Sequence, residues 1–336
     1  MKAEISYEVR LVAQEQLFFS IIIPTYNRPE RLATCLESLT RLDYARDRFE
    51  VIVVDDGSKT PLKDVVARFQ DKLNLTLLRQ NNAGPASARN AGAAKAKGKY
   101  LAFTDDDCTP ASNWLQVLET YFTTTPDCAI GGLAVNALPD NLYSTASQIL
   151  IDYLYGYFNA DPERSRFFAS NNFALPAKYF RQIGSFDTSF PLAAGEDREL
   201  CDRLLYYGYP MRYAKAAQIY HAHKLSWKTF WRQHFNYGRG AFHFHQLRFR
   251  RKSEQIKVEP LSFYFNLLKY PFSHASPQPA LLVAALLFVS QVANVAGFFW
   301  ERYQVRQTQV GEKNRTYLLH ALLKLTSTRE MRQIEK

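Results

Sequence analysis

The chain reads as an α/β protein built on a mostly parallel, doubly covered sheet, followed by a helical extension. Three observations predict this. Short apolar runs recur along the first third, with connections of a dozen or more residues between them. Each connection has helical spacing or helical composition, and parallel strands joined by right-handed crossovers need links of that kind. The last third changes character, to a basic aromatic stretch and then a long uncharged one. Polar residues that follow each strand of such a sheet lie along its carboxyl edge, where open α/β folds bind ligands at a switch in strand order.

Taken in order, Leu17 to Ile23 is the first strand, broken at Pro24. Pro29 suits a first helical turn, and Leu32, Cys35, Leu36 and Leu39 keep helical spacing after it. Glu50 to Val54 is the second strand and ends on Asp55, Asp56, Gly57 and Ser58. Thr60 and Pro61 predict an N-cap and first position for a helix reaching about Gln70. Leu75 to Leu78 is a third strand. Gly84 and Pro85 mark a turn, and the alanine-rich segment to Lys97 has high helix propensity. Tyr100 to Thr104 is the fourth strand, and the next helix opens near Ser112 or Asn113 with Trp114, Leu115 and Leu118 inward. Beyond it, strands are expected near 129 to 135 and 167 to 175, with an amphipathic segment (SQILIDYLYGYF) between them. A helix is expected at about Glu196 to Tyr207.

The chain has 336 residues, 47% of them hydrophobic, enough for one large or two modest cores. Its net charge of +10 admits a nucleic acid, an anionic membrane or a phosphorylated small molecule as partner. Cys35, Cys108, Cys128 and Cys201 form no close pairs, which argues against a zinc site or a disulfide framework and for reduced thiols. The first seventeen residues are charged throughout and carry no apolar signal-like run.

Chemistry concentrates at the strand ends. Asp105, Asp106 and Asp107 follow the fourth strand with no basic residue beside them in the sequence. Alone, such a run is as readily a solvated loop whose aspartates cap the next helix. A P-loop and a dinucleotide fingerprint are both excluded, since no GxGxxG follows the first strand and Gly92 to Lys99 lacks the spacing and the Ser or Thr. Carboxylates at a strand end instead hold Mg²⁺ or Mn²⁺, whose open positions take phosphate oxygens.

The motifs PTYNRPERL (24 to 32), VVDDGS (53 to 58), GPASARNAG (84 to 92), YLAFTDDDC (100 to 108) and GEDREL (195 to 200) resemble, in this order and spacing, the family 2 glycosyltransferases of the GT-A fold. The resemblance implies a nucleotide-diphospho-sugar as donor. Asp56 would contact the base, with Thr25 and Tyr26 near base or ribose and Arg89 against the nucleotide. Asp105 and Asp107 would be the metal ligands, with Asp106 turned elsewhere or toward the donor sugar, and Asp197 would be the catalytic base. An Asn-containing segment, Ser170 to Phe173, and a late histidine, His221, also have counterparts in the family; for His221 a structural role is the stronger reading.

One base and one metal without an enzyme nucleophile imply a single inverting displacement. The QxxRW motif of processive synthases has no counterpart in WRQHFNYGRG (231 to 240), which favours transfer of one sugar to a glycan or lipid-linked hydroxyl. Two other classes compete. A sugar-phosphate nucleotidyltransferase would need a glycine-rich triphosphate loop after the first strand. A non-catalytic scaffold binding acidic lipid or nucleic acid would not need Asp197 together with the acidic pair.

The expected organisation is an N-terminal extension (1 to 17), a catalytic domain (18 to 225) and a basic, aromatic helical region (226 to 336). Residues 224 to 257 hold nine Lys or Arg against one acidic residue. The segment Ala280 to Trp300 is long enough to cross a bilayer core of about 30 Å. Its eleven Leu, Val and Phe residues contribute roughly -3 to -6 kcal/mol to insertion, against which Ser290, Gln291 and Asn294 subtract. A buried helix packed on Leu261 to Phe272 and on Tyr317 to Leu325 is the competing reading. Together these features place the protein at the cytoplasmic face of a membrane, peripheral or single-pass, or otherwise in the cytoplasm, with no nucleic acid as partner.

Overall fold

The computed structural model describes residues 17–190, 194–252, 258–274 and 276–334, with side chains described as far as Gln307 except that of Lys252. The expected N-terminal extension therefore lies outside the described residues, apart from Leu17. The described residues of Met1–Val135, Asp161–Ser185 and Leu204–Tyr220 form one compact unit, and those of Asn136–Ala160, Phe186–Arg203 and His221–Lys336 form another.

The first unit contains β1 (Phe19–Thr25), α1 (Pro29–Leu39), β2 (Phe49–Asp55), α2 (Lys63–Ala67), β3 (Leu75–Arg79), α3 (Pro85–Lys95) and β4 (Tyr100–Thr104). It continues with β5 (Cys108–Pro110), α4 (Trp114–Thr124), β6 (Ala129–Asn136), β7 (Asn172–Pro176), α6 (Ala177–Gln182) and β8 (Met211–His221). All eight strands join one sheet in the order β3-β2-β1-β4-β7-β6-β8-β5. The first four in that order run parallel, while β7 runs antiparallel to both β4 and β6.

Alternate residues of the parallel strands face opposite layers, as strand geometry requires. Phe19, Ile21, Ile23, Val51, Val53, Tyr100 and Ala102 pack with α1, α2 and α4 in one core, which includes the inward-facing Trp114, Leu115 and Leu118. On the other face α3 lies so close that a Cβ added at Gly92 would sit 2.6 Å from the Ile22 side chain, and Phe180 of α6 packs on Phe103 with ring centroids 5.3 Å apart. The sheet is thus covered on both sides, as the strand-crossover pattern implies.

The parallel strands lie within about two residues of expectation, and four departures have local causes. α2 opens at Lys63, after the buried Leu62, because Thr60 and Pro61 are exposed and Leu62 anchors the turn. β7 is shorter than expected and begins at Asn172. Asn172 ties the sheet together: its amide donates to the Leu133 and Ala217 carbonyls, and its Oδ1 accepts from Trp114 Nε1 at 2.9 Å. β5 and β8 carry little strand signature, being three residues long in one case and alanine-rich at the centre in the other.

The second unit contains α5 (Leu142–Phe158), α7 (Glu196–Tyr206), α8 (Trp227–Lys252), α9 (Leu261–Ser273) and α10 (Ala280–Ile334). α5 begins with Asn141, whose side chain accepts from the Ser144 amide at 2.9 Å. Ile149, Leu150 and Tyr153 of α5 pack with Phe230, Leu267, Val283 and Leu287 in a separate core. The Tyr153 hydroxyl closes this contact by donating to the Phe263 carbonyl at 2.7 Å. Among the described residues, Ala280–Gln307 is the one helix long and apolar enough to cross a membrane.

Candidate functional site

β1, β2 and β4 are parallel neighbours, so Thr25, Asp55 and Thr104 end on the same edge of the sheet. The loops that follow are stitched to one another. Asp56 N–H donates to the Thr25 carbonyl at 2.9 Å. Asn27, held at φ 55, donates its N–H to Ser58 Oγ and accepts the Lys59 N–H through its Oδ1, each at 2.8 Å. Gly57 has φ 83, and a Cβ there would lie 2.8 Å from the Asn82 amide nitrogen, so only glycine fits the turn.

The two aspartates of VVDDGS have separate tasks. Asp55 accepts from the Ser58 amide and from Arg79. Asp56, buried, accepts from Gln80 Nε2 at 2.7 Å and from the Ala83 and Gly84 amides at 2.9 Å. It therefore fixes the turn that precedes α3 and places Gly84 as the residue before the Pro85 start. Tyr26, which follows β1, points its ring into the open, 44% exposed.

At the end of β4 the three aspartates diverge. Asp106 is buried, accepting from Thr25 Oγ1 at 2.8 Å and Arg28 Nη1 at 3.1 Å. Burial pushes its carboxyl up to about 6; Arg28 pulls it down and neighbouring Asp107 adds to the rise. Asp107 accepts from Arg31 Nη1 at 2.8 Å and lies 3.5 Å from Arg28 Nη1. Asp105 accepts from Arg89 Nη2 at 2.7 Å; the arginine is buried in α3 while the carboxylate is 29% exposed. Burial works against the Arg28 charge, but Asp106 and Asp107 beside it raise its pKa nonetheless. None of the aspartates caps α4, whose preceding residue, Asn113, makes no side-chain cap.

Arg28 and Arg31 escaped the sequence reading, which found no base beside the aspartates. Their signal was present: NRPER straddles the start of α1 just after β1, so both arginines arise on the edge where β4 ends. Positive charge from elsewhere in the chain is what lets three adjacent carboxylates coexist. Carboxylate oxygens are also the hard donors that Mg²⁺ and Mn²⁺ select. Asp105 and Asp107 carry donors of that kind at the end of β4. Cys35 and Cys108 are both fully buried, with thiol pKa values pushed well up by burial and then by these aspartates.

In the second unit, Asp197 lies in the first turn of α7 beside Glu196 and Glu199, where negative charge complements the helix dipole. Its Oδ1 accepts the Arg198 N–H at 2.7 Å. Glu199 accepts from Arg203 at 2.7 Å and from Arg251, which also donates to Asp202 at 2.9 Å. His221 ends β8 and stacks on His223 at 5.0 Å.

A profile described as "Glycosyl transferase family 2" matches residues 20–184, and one described as "Glycosyl transferase family group 2" matches residues 105–305. The chain belongs to the family 2 glycosyltransferases. Among its family 2 relatives, validoxylamine A glucosyltransferase of Streptomyces hygroscopicus subsp. jinggangensis is 32% identical over 220 residues, 57% of this chain and 52% of that protein. Chondroitin synthase of Escherichia coli is 31% identical over 237 residues, 60% of this chain and 34% of that one. The chain thus spans about half the length of the first relative and a third of the second. A solved mannosyltransferase from Pyrobaculum calidifontis, in complex with GDP-Man and Mn²⁺, has the same fold at a TM-score of 0.59 and 18% identity, covering 84% of this chain and 88% of that one. It confirms the GT-A architecture.

Proposed function

We propose that this family 2 member is a metal-dependent, inverting glycosyltransferase that moves one sugar from a nucleotide-diphosphate donor to a hydroxyl of a glycan or lipid-linked acceptor. The observation that carries the proposal is the joining of Asp105 to Arg89, Asp106 to Thr25 and Asp107 to Arg31 at one end of a parallel sheet. Support also comes from the Mn²⁺ and GDP-Man of the Pyrobaculum enzyme.

In this reading Asp105 and Asp107 hold Mg²⁺ or Mn²⁺, which neutralises the charge of a leaving diphosphate. Half-exposed Arg28 offers guanidinium N–H groups to phosphate oxygens. Asp106, held by Thr25, keeps the β4 end in place. Asp56 holds the loop against which the base lies, with Tyr26 exposed for stacking and Arg89 orienting Asp105. Asp197 takes the acceptor hydroxyl proton as the anomeric carbon is attacked; that role rests on GEDREL. The membrane surface is the proposed site of work, since the second unit concentrates positive charge and apolar surface.

Thermal-shift screening of the full chain against nucleotide sugars tests the donor assignment, because a ligand that binds only the folded state raises stability by RT ln(1 + [L]/Kd). A shift that needs Mn²⁺ or Mg²⁺ supports the proposal. Equal shifts with chelator present overturn the metal assignment, and release of pyrophosphate from a nucleoside triphosphate and sugar phosphate overturns the reaction class.

A further inference from the structure

We infer that α9 and α10 dock in the plane of an anionic bilayer, with the open face of α10 sunk into the headgroup boundary and the helix axis along the surface. This rests on the membrane-surface reading above and is independent of the transfer chemistry. α10 has two apolar faces. Its inward row, Val283, Leu287, Ser290 and Ala293, is fully buried. Its outward row, Leu281, Phe288, Val292, Val295 and Phe299, is 44% to 71% exposed and recurs at helical spacing. A helix facing water carries polar residues on that side, and a contiguous apolar strip marks an interaction surface. α9 adds Phe265 and Phe272, both more than 60% exposed.

The inward face of α10 is committed to α8. A Cβ added at Gly238 would lie 1.8 Å from the Asn294 carbonyl oxygen, and one at Gly297 would lie 1.9 Å from that of Phe235, so the two backbones touch where the helices cross. Phe242 meets Phe298 edge-on at 5.4 Å. A spanning α10 would carry the crossing part of α8, with Arg232, Gln233 and Arg239, into hydrocarbon at the level of residues 290 to 300. Charged groups there are expensive. With α10 in the surface plane, α8 stays on the watery side.

Charge selects the occupant. Across α8, α9 and α10 as far as Gln307 the sole carboxylate is Glu301, which is buried and bound by Arg239 at 2.5 Å and His243 at 2.8 Å. Lys228, Arg232, Lys269, Arg302 and Arg306 are exposed, and Trp300 and Tyr303 are half exposed as interfacial aromatics are. Basic groups flanking an apolar strip are drawn to anionic lipid. A second copy of the chain would bring like charges together.

The test is co-sedimentation of the full chain with vesicles of phosphatidylcholine, alone or mixed with phosphatidylglycerol. Binding only to the mixed vesicles is expected, weakened about thirtyfold by Lys269→Ala with Arg302→Ala and also lost in Phe288→Ser with Phe299→Ser. The four native cysteines are buried, so thiols introduced by Pro277→Cys and Arg306→Cys report orientation to a membrane-impermeant maleimide added outside. Labelling of both supports in-plane docking, whereas protection of one means a span and overturns it. Absence of vesicle binding overturns it too, as does a lipid-free dimer dissolved by the two serine substitutions. Nucleotide release measured without lipid reads the transfer proposal separately.

Discussion

In the first unit Asp106 and Asp107 meet arginines that keep much of their surface in water, Arg28 with 50% of its side chain exposed and Arg31 with 35%. In the second, Glu199 and Asp202 meet Arg251, 15% exposed, and Glu199 also meets Arg203, 11% exposed. Both are clusters of acid and arginine, but they differ in what water can do. Partners at a wet edge exchange for other cations or ligands at less cost, because water solvates and screens the arginine that is let go. Partners sealed in a helical core do not exchange, since losing one strands a charge away from solvent. The difference separates carboxylates suited to binding from carboxylates that hold a fold.

Five experiments break or sharpen that contrast. The largest effect is expected from Asp197→Asn: transfer should fall by about 10²–10⁴-fold, the usual worth of a general base, while donor affinity stays within error in calorimetry. Normal turnover would remove Asp197 from the role. Asp107→Ala should weaken Mn²⁺-dependent donor binding by more than the about 10–100-fold that loss of a group merely supporting a ligand costs, and leave the urea midpoint nearly unchanged. Arg251→Met should do the opposite, costing about 3–5 kcal/mol of stability in urea unfolding and no donor affinity in the fraction that remains folded.

The fourth experiment concerns acid. Burial, and then His223, lower the His234 pKa from 6.5 to about 3. Its neutral form is favoured in the folded state, so stability is complete above about 6.5 and is lost as the pH falls toward 3. Asp106 has the reverse sign. Raised from 3.8 to about 6, it lowers stability at neutral pH, and that cost disappears as the pH falls through this window. His234→Phe should flatten the acid limb of the stability profile, and Asp106→Asn should steepen it; parallel profiles in both variants would contradict these environments. The smallest effect belongs to Arg31→Ala, expected to change stability by about 0–1 kcal/mol. A loss as large as that of Arg251→Met would end the distinction between wet and sealed pairs.

Much of this was legible from residue order. Proline at the first position of α1 and of α3, apolar runs ending on polar clusters, and the crossover lengths between them specify the parallel core. The same features put Thr25, Asp56 and the Asp105 to Asp107 run on one edge. Less legible were elements without a local signature. The three residues of β5 and the alanine-rich middle of β8 become strands only because a neighbour offers an unsatisfied edge, as backbone polar groups require. α2 begins late because burial of Leu62 outweighed the N-cap preference of Thr60.

By itself the sequence determined the kind of protein: the alternation of strand and helix, the family, the charged groups at each strand end, and the uncharged, apolar character of residues 280 to 300. These follow from chain-local physics, in which side-chain periodicity and backbone preference act over a few residues. Only the tertiary structure decided who neutralises whom. Arg89 reaches Asp105 across 16 residues and Arg28 reaches Asp106 across 78. Asp56 spends its oxygens on the turn before α3, and one face of α10 is claimed by α8 while the other stays open. Electrostatic and packing partners are set by proximity in space, and a local pattern carries no record of that distance.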